Sequence, residues 1–216
     1  MCDFHQNALL PPLPDDEYVL DVARVRDFIS DARERIKAAD SPRGACRQIG
    51  PLFRDLLADR EWLPAPYQAP AATGGMGGGI GQWLIFRAAD RSLSLFSLVV
   101  PGGSMTPVHD HLAWGLVGLY AGNQDEEFYR PEGGRLEPQR RRALAPGDFY
   151  TLLPPRDDIH RVRTTSSETS VSIHLLANDT GCVWRHSYDE RTGEASPFRS
   201  GYVNAECPDR TLPPGR

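Results

Sequence analysis

From Gln82 onward the chain is a succession of short apolar segments, none longer than a strand, each closed by turn residues. The segments fall at 83–86, 93–100, 116–120, 127–129, 149–153, 159–163, 171–176 and 182–186. Pro101-Gly102-Gly103, Pro131-Glu132-Gly133-Gly134 and Pro146-Gly147-Asp148 punctuate them. Many short, evenly spaced strands with Gly/Pro turns can bury their apolar faces only in a sandwich or barrel. The Arg140-Arg141-Arg142 run reads as a solvated strand edge, where like charges block further pairing. No internal repeat is present.

The preceding portion has a different texture. Residues 1–14 are Pro-rich and read as an extended arm. Val19, Val22, Val25, Ile29, Ala32 and Ile36 recur at helical spacing, predicting a helix over 17–39 capped by Asp15 or Asp16. Ser41-Pro42 supplies a cap and a first-turn proline for a second helix. Its apolar face is Ala45, Ile49, Leu52, Phe53, Leu56 and Leu57, and Trp62-Leu63-Pro64 ends it. The Gly-rich stretch 64–81 lacks the Lys-Ser/Thr of a phosphate loop and any preceding strand, so it reads as a flexible loop. The expected organisation is one domain over 1–216, helical at about 15–63 and a β-barrel at about 82–205.

Composition excludes several classes. With 216 residues, 40% hydrophobic and 25% charged, the chain can bury a full core without a staple. A net charge of −5 argues against nucleic-acid or anionic-membrane binding. No apolar run reaches the ~20 residues of a membrane span, and the N-terminus lacks a secretory pattern. The four cysteines are scattered, without a C-x-x-C pair, which suits a reduced, cytoplasmic setting. They are expected to be small buried hydrophobes or inert thiols.

The six histidines are more informative by position than by number. His109 and His111 are two apart, so on a strand both imidazoles face one side and can grip one metal ion. A lone H-x-H is a weak signal. Here it follows a Pro-Gly-Gly turn and precedes an apolar strand ending at Gly122. His160 arrives later, after another Pro-Gly-Asp turn, and can complete a three-histidine facial cap with positions left for substrate and oxygen.

On these residues the chain resembles the cupins, small double-stranded β-helix barrels. Their first motif runs Gly, five residues, His-x-His, three or four residues, Glu, six residues, Gly. Gly103, His109, His111 and Gly122 fit it, and Gly115 stands at the Glu position. A three-histidine site within that fold resembles the cysteine dioxygenase-like thiol dioxygenases, above all the bacterial 3-mercaptopropionate dioxygenases. The residues that carry the likeness are Thr106 to His111, Trp114-Gly115, Ile159-His160, Ser172-Ile173-His174, Gly181 to Arg185, and Phe198 with Gly201 to Asn204. The likeness covers roughly residues 45–205.

The resemblance implies Fe(II) held by His109, His111 and His160. It implies an outer Ser-x-His-x-Tyr relay, matched by Ser172 and His174, with Leu176 at the Tyr position. Tyr120, Tyr129, Tyr150 and Tyr202 are the tyrosines available to replace it, and no Cys adjoins Gly115-Leu116 for a Cys–Tyr crosslink. Arg185 is the implied carboxylate binder, pairing bidentately, with Gln82 or Arg87 as its partner on an early strand. The implied reaction takes a small carboxylate-bearing thiol and O2 to the sulfinate. Cysteine or mercaptosuccinate are alternative substrates. A non-thiol metal cupin enzyme and a ligand-binding cupin are alternative functions, and the oligomeric state stays open. Read without the resemblance, His174 is a satisfied core histidine, Ser172 a strand hydroxyl, Arg185 a salt-bridge residue and Trp114 a packing residue.

Overall fold

A computed structural model describes residues 10–72 and 76–208. Most of the Pro-rich arm (with Cys2 and His5) and the centre of the Gly-rich loop lie outside the described residues. Strands β1 (Glu17–Tyr18), β2 (Gly81–Arg87), β3 (Ser94–Val100), β5 (Gly115–Ala121), β8 (Phe149–Leu152) and β10 (Ser170–Leu176) form one sheet in the order β1-β2-β3-β10-β5-β8. Strands β4 (Val108–His109), β6 (Gln124–Glu132), β7 (Arg135–Leu144), β9 (His160–Thr164), β11 (Arg185–Tyr188) and β12 (Ala195–Phe198) form the other, in the order β12-β11-β4-β9-β6-β7. The pairings are antiparallel. This is the mainly-β, two-sheet architecture expected of a cupin.

Helices α1 (Ala23–Ala38) and α2 (Pro42–Ala58) pack on the outer face of the first sheet. That sheet is therefore covered on both sides, which explains why β3 and β10 are buried at every residue. Phe53 and Leu57 of α2 come so close to Gly118 that a Cβ there would lie 2.5 Å from Leu57 Cδ1. The inner face packs Phe96, Val117, Leu119, Phe128, Tyr150, Leu152 and Leu176 between the sheets.

Three local expectations are corrected. α1 begins at Ala23, not 17, because Glu17 and Tyr18 pair with Arg87 and Phe86 as a strand. Asp16 caps nothing; it binds Arg33 and the Ala89 amide. α2 ends at Ala58, before Trp62, whose indole instead donates to the Leu56 carbonyl. The Ser41 cap is present, accepting from the Gly44 amide at 3.1 Å, and the arginine run lies on the exposed edge strand β7. The cysteine reading is also corrected: Cys182 and Cys207 form a disulfide. Cys46 is the buried thiol expected, raised to about 12 by burial. No helix among the described residues is long and apolar enough to cross a membrane.

Candidate metal centre

Strand register brings the histidines together. His109 on β4 lies opposite His160 on β9, and both face the space between the sheets. His111 sits just past β4, so the strand-alternation argument covers His109 but not His111. The Asp158 carboxylate places it instead, accepting from the His111 amide at 2.8 Å and the Leu112 amide at 3.0 Å, while Leu112 takes φ 53°. The three rings end up mutually adjacent, with centroids 4.9, 5.0 and 4.9 Å apart. One ligand atom from each falls within 4.8 Å of the others, and all three residues are buried.

Each ring has its Nδ1 engaged from behind. His109 Nδ1 meets the Pro107 carbonyl at 2.9 Å, and His111 Nδ1 the Asp158 carboxylate at 3.3 Å. His160 Nδ1 lies 2.8 Å from Glu126 Oε2, off the line of a well-formed hydrogen bond, and 3.2 Å from the Tyr150 hydroxyl. His160 Nε2 is buried with no partner. A buried imidazole nitrogen without a partner is costly unless something fills the place. Three neutral, outward-anchored imidazoles fit a metal ion that takes nitrogen ligands. His109, His111 and His160 are placed to hold a metal ion.

The carboxylate position of the usual cupin motif is closed. A Cβ on Gly115 would lie 2.0 Å from the Leu175 carbonyl oxygen and 2.7 Å from Leu176 Cδ2. Gly115→Glu should therefore add no fourth ligand. We expect it to lower Tm by several degrees and to lose metal, since overpacking costs about 1–3 kcal/mol or more. An unchanged Tm with metal held by the new carboxylate would contradict this.

Around the triad, β10 carries Ser172 and His174 on the inner face. Ser172 Oγ is 3.0 Å from His174 Nε2, and His174 Nδ1 is buried without a partner. The His174 ring stacks on Phe96 at 4.8 Å and lies 6.4 Å from His111. Arg185, on β11, is buried under Phe198. Its Nη1 donates to the Asp110 carbonyl at 2.5 Å and its Nη2 to Ser200 Oγ at 2.9 Å; its Nε has no partner. Gln82 is buried on the inner row of β2, its Nε2 unpartnered. Arg87 is committed elsewhere, to Glu17 at 2.6 Å and Asp179 at 3.6 Å. Tyr202 does not extend the Ser172–His174 pair: its hydroxyl donates to Asp179 and accepts from the Gly181 amide. Trp114 is half-buried and lines a cleft of about 590 Å³ with Leu112, Arg43 and Arg156.

Of the four tyrosines singled out from the sequence, Tyr150 reaches the site, at His160 Nδ1; Asp110, Glu126 and Asp158 were given no role there. A usable signal existed for Glu126. It shares strand parity with inward Phe128, so a carboxylate there faces the core.

The site titrates far from ordinary values. Burial, then neighbouring histidines and Arg185, hold His109 and His111 well below 6.5. Burial brings His174 down to about 3. In the metal-stripped protein the unfolded chain takes up protons below 6.5 and the folded chain does not. Each imidazole then contributes stability above 6.5 that is lost on acidification, at about 1.4 kcal/mol per pH unit. Asp158 has the opposite sign: burial and Asp110 raise it to about 7, so protonation favours the fold from about 7 downward. Three imidazoles outweigh one carboxyl. The urea midpoint of the metal-stripped protein should be lower at pH 5 than at pH 7; an equal or higher midpoint would refute this.

No family model matches the sequence. Among solved structures, a recombinant oxalate oxidase in complex with glycolate is 15% identical, with TM-score 0.35, covering 42% of this chain and 44% of that one. An RmlC-like cupin with a double-stranded β-helix fold from Methanocaldococcus jannaschii is 13% identical, with TM-score 0.36, covering 47% and 82%. The DMSP lyase DddQ from Ruegeria pomeroyi is 25% identical, with TM-score 0.34, covering 54% and 51%. This chain thus spans less than half of the oxalate oxidase. Fold and site together define a two-sheet β protein of cupin architecture with a buried three-histidine cluster that can hold a metal ion.

Proposed function

We propose that the chain is a non-haem Fe(II) thiol dioxygenase acting on a small carboxylate-bearing thiol of the 3-mercaptopropionate type. The overall reaction, R–SH + O2 giving R–SO2H, balances without external electrons. The observation that carries the reading is a buried three-histidine site, closed to a carboxylate ligand at Gly115, beside a buried arginine.

His109, His111 and His160 would hold the iron. When bound, Fe(II) ionises the substrate thiol and brings it to the oxidant. The protein residues do the rest. Arg185 stays protonated, although burial lowers it to about 10. Each Nη gives one N–H to a neutral oxygen and keeps a second, and Nε has no partner, which leaves donors for the bidentate pairing with the substrate carboxylate expected from sequence. Gln82 Nε2 is a second free donor for that carboxylate. Ser172 orients the His174 ring through Nε2, leaving Nδ1 for a hydrogen bond to the reacting ligand. Phe96, Val117 and Leu176 keep the surroundings apolar and exclude water.

Metal analysis followed by oxygen uptake with cysteine, 3-mercaptopropionate and mercaptosuccinate under Fe(II) tests the reading. One O2 consumed per thiol supports it; thiol-independent uptake points to a non-thiol metal cupin enzyme. Leu176 at the relay tyrosine favours one alternative, a ligand-binding cupin, which would bind metal and thiol without oxygen uptake.

A further inference from the structure

The disulfide belongs to a segment that the catalytic reading leaves unused. Residues 198–207 run back over the barrel as a strap. The Gly201 amide donates to the Gly181 carbonyl at 2.8 Å, and the Val203 amide to the Gln82 carbonyl at 2.9 Å. Asn204 brackets Leu84, accepting from its amide and donating to its carbonyl. The Tyr202 ring lies on Gly181, where a Cβ would come within 2.5 Å of it. Cys207, near the end of the strap, is tied to Cys182.

The tie encloses Arg185. Cys182 and Cys207 close a loop of sequence separation 25 that contains both Arg185 and Ser200, the hydroxyl that receives Arg185 Nη2. The same strap holds Gln82 through its carbonyl. Both free donors assigned to the substrate carboxylate are therefore positioned by a covalently pinned segment.

The bond is also placed to be broken. Cys207 is half-buried and lines an open cleft of about 780 Å³ with Arg87, Arg91, Arg199 and Glu206. Cys182 is buried, and Arg87 Nη1 lies 3.6 Å from its sulfur. A cation beside a sulfur stabilises its thiolate and makes it the better leaving group. A small thiol entering the cleft thus meets Cys207 in its wall, and an assisted leaving group at Cys182.

We propose that Cys182–Cys207 is a thiol-reducible clamp that fixes Arg185 through the strap, so that its reduction by a small thiol weakens the hold on a carboxylate-bearing substrate. A first R–SH attacks Cys207 Sγ as its thiolate and releases Cys182 as the thiol, leaving a mixed disulfide. A second R–SH displaces Cys207, giving two protein thiols and R–S–S–R. The exchange stands on the disulfide and its cleft; the effect on substrate affinity rests on the thiol dioxygenase reading.

The experiment separates the two. Alkylation with mass spectrometry is done on the full chain as isolated, after 3-mercaptopropionate, and after a phosphine. Cys182 and Cys207 should resist alkylation at first and become modified after either reductant. Modification of both in the isolated protein, or resistance to 3-mercaptopropionate where the phosphine succeeds, overturns the proposal. Amide hydrogen exchange at 183–186 and 200–204 should accelerate about tenfold on reduction, with β3 and β10 unchanged, as for a local opening. Cys207→Ser should show the same without reductant. Unchanged exchange at these residues on phosphine reduction of the unsubstituted protein overturns the clamp, whether or not any thiol is turned over. Where 3-mercaptopropionate is oxidised, Cys207→Ser should raise its KM roughly threefold to tenfold with kcat within about twofold. A thiol lacking a carboxylate should show no KM change; an equal shift for both thiols overturns the link to Arg185.

Discussion

His160→Ala is expected to abolish metal retention and thiol-dependent oxygen uptake together. The ring is fully buried, its Nε2 has no other partner, and its Nδ1 is backed by Glu126 and Tyr150. Losing a residue that merely orients a ligand typically costs ten- to a hundredfold in metal affinity, so losing a ligand should cost more than about a hundredfold. Removal also leaves the Glu126 carboxylate facing a cavity, a penalty of about 1–3 kcal/mol for a stranded polar group. The two effects are separable. In the unsubstituted protein, added Fe(II) should raise Tm, because ligand binding to the folded state alone stabilises it by mass action. In His160→Ala, Tm should start lower and fail to respond. A variant that still binds one equivalent of iron and turns over normally would remove His160 from the centre.

What the sequence made legible follows from periodicity. His109 and His160 face each other because alternation along two strands puts both inside, and Ser172 and His174 share a face for the same reason. The helix cap at Ser41 and the arginine-rich edge strand were readable because their signals are local. The long-range features were not. His111 owes its place to Asp158, 47 positions away, and no local pattern reports that contact. Asp110 and Asp158 are buried acids that no local pattern marks as such, whereas Glu126 could be read as inward from its parity with Phe128. Disulfide connectivity is a tertiary fact. Cys182 and Cys207 have no close spacing to announce it, so composition pointed to free thiols. α1 starts late because pairing with β2 outcompetes helix propensity at Glu17 and Tyr18.

Charge at the site gives these contacts a common logic. A divalent metal ion held by three neutral imidazoles would keep its full positive charge, and Arg185 adds another. Asp158 and Asp110 stand on the protein side of this field. Burial and mutual repulsion with Asp110 raise Asp158 to about 7, which marks how little water reaches it. Asp110 is tied down by the His186 amide at 2.8 Å, His186 Nδ1 at 2.7 Å and Tyr188 at 3.0 Å, so it cannot swing toward Arg185. Within hydrogen-bond reach Arg185 meets neutral oxygens, and Asp110 and Asp158 act on its charge only through space, which on the proposed reading leaves room for an anionic ligand.

Arg185→Ala is accordingly expected to raise KM for 3-mercaptopropionate by one to two orders of magnitude. A hydrogen bond to a charged group contributes about 1.5–3 kcal/mol, and each 1.4 kcal/mol is tenfold. The effect should be confined to substrates with a carboxylate, because the guanidinium has no other role in the reaction. A thiol of similar size ending in a hydroxyl should keep its KM, and kcat at saturation should change less than KM for either. Because Arg185 also ties Asp110 to Ser200, the substitution must be checked for folding, and Arg185→Lys keeps a charge while losing the fork. Lys should recover part of the carboxylate preference. Equal KM values for the Ala variant and the unsubstituted protein, with iron content intact, would place the substrate carboxylate elsewhere and leave Gln82 Nε2 as the remaining donor on the inner wall.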